Sequence, residues 1–89
     1  MADAKGVAAQ RKRGAEAKRL PPGSLWKHAK TGNAYFVITV AVEESSMRLL
    51  VIYAEEETGR TWSRPLSEWE EEVDVDGAKA KRFAPFVRK

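Results

Sequence analysis

Two long runs of β-branched and aromatic residues constrain the fold of this 89-residue chain more than any other feature. The runs are AYFVITVAV at residues 34–42 and MRLLVIYAE at residues 47–55, separated by the turn-forming sequence EESS. Such side chains favour strands, and apolar residues on both faces indicate strands that are covered on both sides. The two runs therefore predict two central strands joined by a tight turn.

Shorter strands are predicted on either side of this pair. Residues 24–29 alternate as a half-buried strand does, residues 60–64 form a short strand that ends at Pro65, and residues 81–86 supply the last strand. Leu66 and Trp69 are three residues apart, which predicts a single helical turn over residues 66–70. Five short strands with one helical turn before the last predict a mainly β fold, a small and strongly bent barrel. Its predicted turn glycines are Gly32, Gly59 and Gly77.

The predicted core comes mostly from the two long strands. Trp69 is expected to close one open end of the barrel, and Arg64-Pro65 forms its corner. The remaining core residues are Tyr35 or Phe36, Val37, Ile38, Val40, Leu49, Val51 and Phe83.

The chain is predicted to divide into three parts. Residues 1–22 form a flexible, basic, alanine-rich arm, because they carry no apolar helical stripe that could dock on a core. Residues 23–86 form the β domain, and residues 87–89 form a basic tail. Residues 1–20 have a net charge of +4, residues 21–77 a net charge of −6, and residues 78–89 a net charge of +5.

Composition excludes several classes of function. The chain has no cysteine, so disulfides and thiolate metal sites are excluded. It has a single histidine, His28, so a catalytic nucleophile–base pair could only combine His28 with Ser24, Ser63 or a threonine. Nothing in the spacing brings these groups together, and we predict no enzymatic activity, no cofactor and no metal. No apolar run is long enough to span a bilayer, and no apolar segment near residue 1 is typical of a secretory signal. We therefore expect a cytoplasmic monomer with no membrane contact.

The ordered series WKHAKTGNAYFV, LLVIY and WSRPLSEW resembles an uncharacterised family of short bacterial and phage proteins, a domain of unknown function. The resemblance covers about Gly23 to Phe83 and implies an SH3-type barrel with no established activity. Thr31 is inserted before the turn glycine of that pattern, and Trp69 stands where a phenylalanine is usual. The matching positions are Trp26, His28, Lys30, Gly32, Tyr35, Tyr53, Trp62, Arg64, Pro65 and Leu66.

Alternation places Trp62 and Arg64 on one face of their strand, as it does Trp26 and His28 on theirs. If these faces adjoin, they form an aromatic and cationic cluster that can hold a planar group, a peptide or a base. The alternative is core packing, with Arg64 paired to a glutamate. With Tyr53, these four residues are the predicted partner-binding site of a non-enzymatic module that recognises a protein or peptide in a phage or mobile-element setting.

Nucleic-acid binding through the basic ends is the alternative function. Basic arms contact phosphate with little sequence preference, and the affinity then falls steeply with salt. The opposing interpretation is that the basic ends fold back onto the acidic side chains of the domain. The candidate phosphate-binding residues are Arg11, Lys12, Arg13, Lys18, Arg19, Lys79 and Lys81.

Overall fold

A computed structural model describes residues 4–87 and contains the predicted central pair of strands. The elements in chain order are α1 (Ala4–Arg19), β1 (Leu25–His28), β2 (Ala34–Val42), β3 (Leu49–Glu55), β4 (Thr61–Pro65), α2 (Leu66–Trp69), β5 (Glu72–Val75), β6 (Ala78–Lys81) and β7 (Phe83–Pro85). Strands β2 and β3 pair antiparallel along their whole length, from Tyr35 opposite Glu55 to Val42 opposite Leu49.

A β-bulge in β2 changes which of its side chains point into the core. Val37 lies opposite Tyr53 and Thr39 opposite Ile52, so Ile38 has no partner on β3. The extra residue shifts the alternation, and Val37 and Val40 are both buried although they are three apart. The prediction that Ile38 belongs to the core is therefore wrong: this side chain is 39% exposed.

The main sheet is antiparallel and has the strand order β4-β3-β2-β1-β7. Five strands were predicted, and the strand predicted over residues 81–86 is present as β7. Strands β4 and β7 are the two edges and are not hydrogen-bonded to each other. The main sheet is therefore open at β4 and β7, and no closed barrel is found within residues 4–87, so the predicted five-stranded barrel is not confirmed.

A two-stranded sheet of β5 and β6 was not predicted. These strands pair from Glu72 opposite Lys81 to Val75 opposite Ala78. Asp76 and Gly77 between them have positive φ angles of 51° and 84°, the backbone geometry of a type I′ hairpin turn. The turn at Gly77 is thus confirmed, and the acidic segment before it forms strand β5.

Helix α1 lies within residues 1–22, for which the sequence predicted a flexible arm: in the part that the structure describes, residues 4–19 are helical. The helix needs little apolar surface to dock. Leu20 directly after it is 2% exposed within the core, Ala9 is buried, and Arg13 donates a hydrogen bond to the carbonyl of Val40 at 3.3 Å. Small alanine side chains allow this close approach. Residues 1–3 and most of the predicted tail, residues 88–89, lie outside the described part.

The core lies between the inner face of the main sheet and the single-turn helix α2, which confirms the predicted helical turn. Trp69 is 1% exposed, and most other predicted core residues are buried as expected. Tyr35 packs against this cluster from its edge. Three residues of this buried cluster were not predicted as core residues: Leu20, Tyr53 and Leu66.

Candidate functional site

Four of the five predicted partner-binding residues line one surface depression of about 250 Å³. Trp62 lies on β4 directly opposite Tyr53 on β3, and Arg64 lies two residues further along the same face. His28 comes from β1, which pairs with β7. We call the group His28, Tyr53, Trp62 and Arg64 the Trp62 site.

Phe83 connects the two sides of the Trp62 site. It lies opposite His28 in the β1–β7 pair, and the two rings meet edge to face at 5.0 Å. The Arg64 guanidinium lies 6.0 Å from the centroid of the same ring. The sheet is therefore curved enough for β4 and β7, its two edges, to approach each other around one aromatic side chain without hydrogen-bonding.

Arg64 is held in place by three neighbours. Its Nε donates to the Tyr53 hydroxyl at 3.5 Å, and its Nη1 donates to Oε1 of Glu68 at 3.3 Å. The Phe83 ring also lies next to the guanidinium, and the glutamate pairing named in the core-packing alternative is present. The Arg64 side chain remains 29% exposed, so an incoming group can still reach it.

His28 is oriented by its own turn. Its Nδ1 accepts a hydrogen bond from the backbone N–H of Lys30 at 3.2 Å, which places the proton of the neutral ring on Nε2. Burial lowers the pKa of His28, and the positive charges of Arg82, Arg64 and Lys30 lower it further. His28 is therefore a neutral hydrogen-bond donor near neutral pH. Within residues 4–87 no serine, threonine or carboxylate side chain hydrogen-bonds to its ring, and Ser24 instead accepts a hydrogen bond from Trp26.

Trp62 and Trp26 have different environments. Trp62 is 47% exposed and is not part of the core. Trp26 packs edge to face against Trp69 at 5.5 Å, and its Nε1 donates to the Ser24 hydroxyl at 2.9 Å. Trp26 lines a different depression and is the one predicted site residue that the structure places apart from the others.

Sequence reasoning missed several other residues that line the same depression as the Trp62 site. Tyr35 contacts both Tyr53 and Phe83 edge to face, at 5.5 and 5.7 Å between ring centroids. Thr31 and Glu55 complete the lining of the depression. Tyr35 and Phe83 were predicted only as core residues. No local sequence pattern indicates that strand β7, which carries Phe83, lies close to strand β4.

The basic residues predicted to contact nucleic acid fall into two groups. Four of them already bind groups of the protein. Arg13 and Lys81 donate hydrogen bonds to backbone carbonyls, those of Val40 and Glu70 respectively. Arg19 forms ion pairs with Glu16 and Glu70, and Lys79 forms one with Asp74. The other three are exposed on α1 and have no ion-pair or hydrogen-bond partner in the part of the chain that the structure describes; they are Arg11, Lys12 and Lys18.

The described residues include neither a candidate metal centre nor a helix that could span a membrane. No group of three or more His, Asp or Glu side chains among residues 4–87 is arranged to hold a metal ion. No helix in the same part of the chain is both long and apolar enough to cross a membrane.

The fold and the site define a small, mainly antiparallel β protein whose aromatic core reaches the surface beside an oriented arginine. The chain belongs to the family described as "Protein of unknown function (DUF1653)", whose model matches residues 24–85. It is similar to a crystal structure of a protein of that family from Bordetella bronchiseptica. The similarity covers 79% of this chain and 90% of that chain, with a TM-score of 0.65 and 23% sequence identity. A search of curated proteins gave no match.

Proposed function

We propose that this chain is a non-enzymatic interaction module that recognises a protein or peptide partner through the Trp62 site. The observation that carries the proposal is the exposure of Trp62 beside an oriented Arg64 in one depression. Tryptophan, tyrosine and arginine dominate the binding energy of protein interfaces, particularly where they line a pocket. We also propose that the fold is related to SH3-type barrels, as the family resemblance implies. The five short antiparallel strands support this relationship, whereas the open edges of the sheet do not.

Arg64 can exchange its present partner for one on an incoming chain. Its ion pair with Glu68 is partly exposed and has an N–O distance of 3.3 Å, and such pairs stabilise a protein by only about 0–1 kcal/mol. A carboxylate or carbonyl of a partner can therefore replace Glu68 at little cost. The planar guanidinium can bind a carboxylate through two hydrogen bonds, while Trp62 supplies apolar contact area.

Strand β4 adds a backbone surface to the Trp62 site. It is an edge of the main sheet, and the backbone of residues 61–64 makes no hydrogen bond outside the pairing with β3 among residues 4–87. An extended peptide can add to such an edge as a further strand, with its side chains alternating into neighbouring pockets. Pro65 at the end of β4 has no N–H, which limits the available edge to Thr61–Arg64.

A pull-down from a bacterial lysate tests the proposal with three forms of the chain. The unmodified protein, Trp62→Ala and Ile38→Ala serve as baits; Ile38 is the matched control because it is an exposed apolar side chain on another strand. We expect a partner that is retained by the unmodified chain and by Ile38→Ala, with at least about a tenfold loss for Trp62→Ala, as for a hot-spot residue. Equal recovery by all three baits would show that the Trp62 site is not the contact.

Nucleic-acid binding is the second candidate function. The observation that favours it is the set of unpaired cations on the exposed side of α1. Arg11 and Lys18 are seven residues apart, so they lie on the same face of the helix, and Lys12 lies beside them. This candidate depends on α1 alone, because the other basic candidates are bound to groups of the protein.

A further inference from the structure

The hydrogen-bonding pattern of β4 determines which of its backbone groups face outwards. The N–H of Glu55 donates to the carbonyl of Arg60 at 2.8 Å, and the pairs of β3 and β4 follow in the same register. Hydrogen-bonded positions alternate along an antiparallel pair, so the backbone groups of Trp62 also face β3. Those of Thr61 and Ser63 therefore face away from the sheet.

Thr61 and Ser63 together present two N–H donors and two carbonyl acceptors at this edge. The backbone of neither residue bonds to another group within residues 4–87, and both residues are exposed. Residues 61–63 also contain no charge and no proline, the features with which proteins commonly protect the edge of a sheet. An added strand can pair with all four backbone groups at once.

The other edge of the sheet, β7, is less suited to receive a strand. The N–H of Phe86 donates to the carbonyl of Leu25 at 3.2 Å, so by the same alternation the backbone groups of Phe83 and Pro85 face outwards. Pro85 has no N–H, which leaves Phe83 as the one outward-facing donor of this three-residue strand. The docking edge is therefore β4.

The charges beside Trp62 limit what can occupy this edge. Arg60 and Arg64 flank Trp62 on the same face, because alternate residues of a strand share a face. A second copy of the chain, paired antiparallel about Trp62, would place Arg60 of each copy opposite Arg64 of the other, and like charges directly opposite are destabilising. Glu68 pairs with Arg64, and Glu55 on β3 is about 10 Å from an added strand, so the arginines are the nearer charges. A basic segment is disfavoured for the same reason.

We propose that β4 binds an extended segment of another protein as an antiparallel sixth strand of the main sheet. The segment has an aromatic or β-branched residue opposite Trp62 and no basic residue two positions to either side. This inference rests on the function proposed for the Trp62 site and specifies its partner. Thr61 and Ser63 exchange hydrogen bonds with the neighbours of the central residue. Positions outside the hydrogen-bonded pairs bring opposite side chains closest, and aromatic residues pair favourably there with aromatic or β-branched ones.

Titration of the ¹⁵N-labelled full chain with the N-acetylated, C-amidated peptide ETITE tests the proposal. The isoleucine is placed opposite Trp62 and each glutamate opposite an arginine. We expect a Kd on the order of 1 mM and slower hydrogen exchange at the amides of Thr61 and Ser63, with the Trp62 amide unchanged because it already bonds to β3. The peptide KTITK should bind at least about threefold more weakly. No slowing at Thr61 and Ser63 with about 5 mM ETITE, or equal binding of KTITK, would overturn the proposal.

N-methylation of the peptide tests the backbone contacts. In antiparallel pairing the two threonine N–H groups of ETITE face β4, whereas the isoleucine N–H faces solvent. Methylation of both threonine nitrogens should weaken binding at least about fivefold, and methylation of the isoleucine nitrogen, the matched control, by less than about twofold. The reverse order would indicate parallel pairing and would overturn the antiparallel assignment.

Ser63→Pro separates strand addition from the broader proposal for the Trp62 site. The Ser63 N–H faces outwards, so proline removes a bond to the added strand and none to β3, and an edge strand tolerates proline. In the lysate pull-down we expect at least about a fivefold loss of the partner, once circular dichroism shows that the variant is folded. Retention of the partner by Ser63→Pro, with loss by Trp62→Ala, would keep the Trp62 site and overturn strand addition. Retention by Trp62→Ala would overturn the function proposed for the site. If Ser63→Pro does not fold, the N-methylated peptides decide the question.

Discussion

The indole of Trp69 stacks on the ring of Phe83, with 3.9 Å between the ring centroids and 6° between the ring planes. The stack holds the single-turn helix α2 against β7, and Phe83 also meets His28, Tyr35 and Tyr53 edge to face. One side chain thus links the last strand to four other aromatic rings. We expect it to be the most sensitive position of the core.

Phe83→Leu should lower the free energy of unfolding by about 2–3 kcal/mol, because leucine fills most of the volume but loses the aromatic contacts. Phe36→Leu is the matched control: Phe36 is only half-buried and makes no ring contact within residues 4–87, so a cost of about 1 kcal/mol or less is expected. Urea unfolding followed by tryptophan fluorescence measures both. Equal costs at the two positions would contradict the central role of Phe83.

Those parts of the fold that are encoded by local pattern were predictable from the sequence. The composition of residues 34–42 and 49–55 leaves little alternative to strands, and Leu66 with Trp69 specifies a helical turn. The β5–β6 hairpin was missed because Val73 and Val75 are the only large apolar residues in an acidic segment. Its formation depends on the Asp76-Gly77 turn.

Other features depend on contacts that are distant in sequence. The bulge that exposes Ile38 arises from the register between β2 and β3, and α1 is anchored by Leu20 and Ala9 rather than by an apolar stripe. Alternation along one strand predicted that Trp62 and Arg64 share a face. Nothing local shows that Phe83 joins them, because that contact requires the curvature of the whole sheet.

The docking of α1 can be tested by adding charge at one buried alanine. Ala9→Glu should separate the helix from the sheet, because Ala9 is buried and a carboxylate there would lose its water without gaining a partner. Ala8→Glu, at an exposed neighbouring position, is the control. Hydrogen exchange should show at least about a tenfold loss of amide protection in α1 for Ala9→Glu only, with β2 and β3 unchanged. Similar exchange in both variants would mean that the helix does not depend on this contact.

His28 should make stability depend on pH in the mildly acidic range. Burial, together with Arg82, Arg64 and Lys30, lowers its pKa in the folded chain, so the unfolded chain binds more protons once the pH falls below about 6.5. Stability should therefore be constant above that pH and decrease as the pH falls through it towards the lower folded pKa. The Glu43 pKa is also lowered, by hydrogen bonds from Ser46 and Arg48, but that carboxylate titrates at lower pH.

Urea unfolding at about pH 7.5 and about pH 5.5 measures this effect of His28. His28→Asn is the control, because an asparagine oxygen can accept the Lys30 N–H without titrating. We expect a smaller loss of stability on acidification for the variant than for the unmodified chain. In NMR titration the His28 imidazole should also have a lower midpoint in the folded chain than in urea; a midpoint that is equal or higher would rule out this mechanism.

The nucleic-acid alternative makes a quantitative prediction about salt. If α1 contacts phosphates through Arg11, Lys12 and Lys18, the log–log dependence of duplex DNA affinity on salt should have a slope near −3, about −0.9 for each phosphate neutralised. Replacing all three by glutamine should bring the slope close to zero.

A chain that begins at Pro21 is unsuitable for this comparison, because it also lacks Leu20 and would lose part of the core. Lys79→Gln is the better control, since Lys79 already pairs with Asp74 at 3.0 Å and should not change the slope. Fluorescence anisotropy with labelled duplex DNA at several salt concentrations gives these slopes. Absence of binding at about 50 mM salt, or the same slope for the triple variant and the unmodified chain, would remove α1 as a phosphate-binding element.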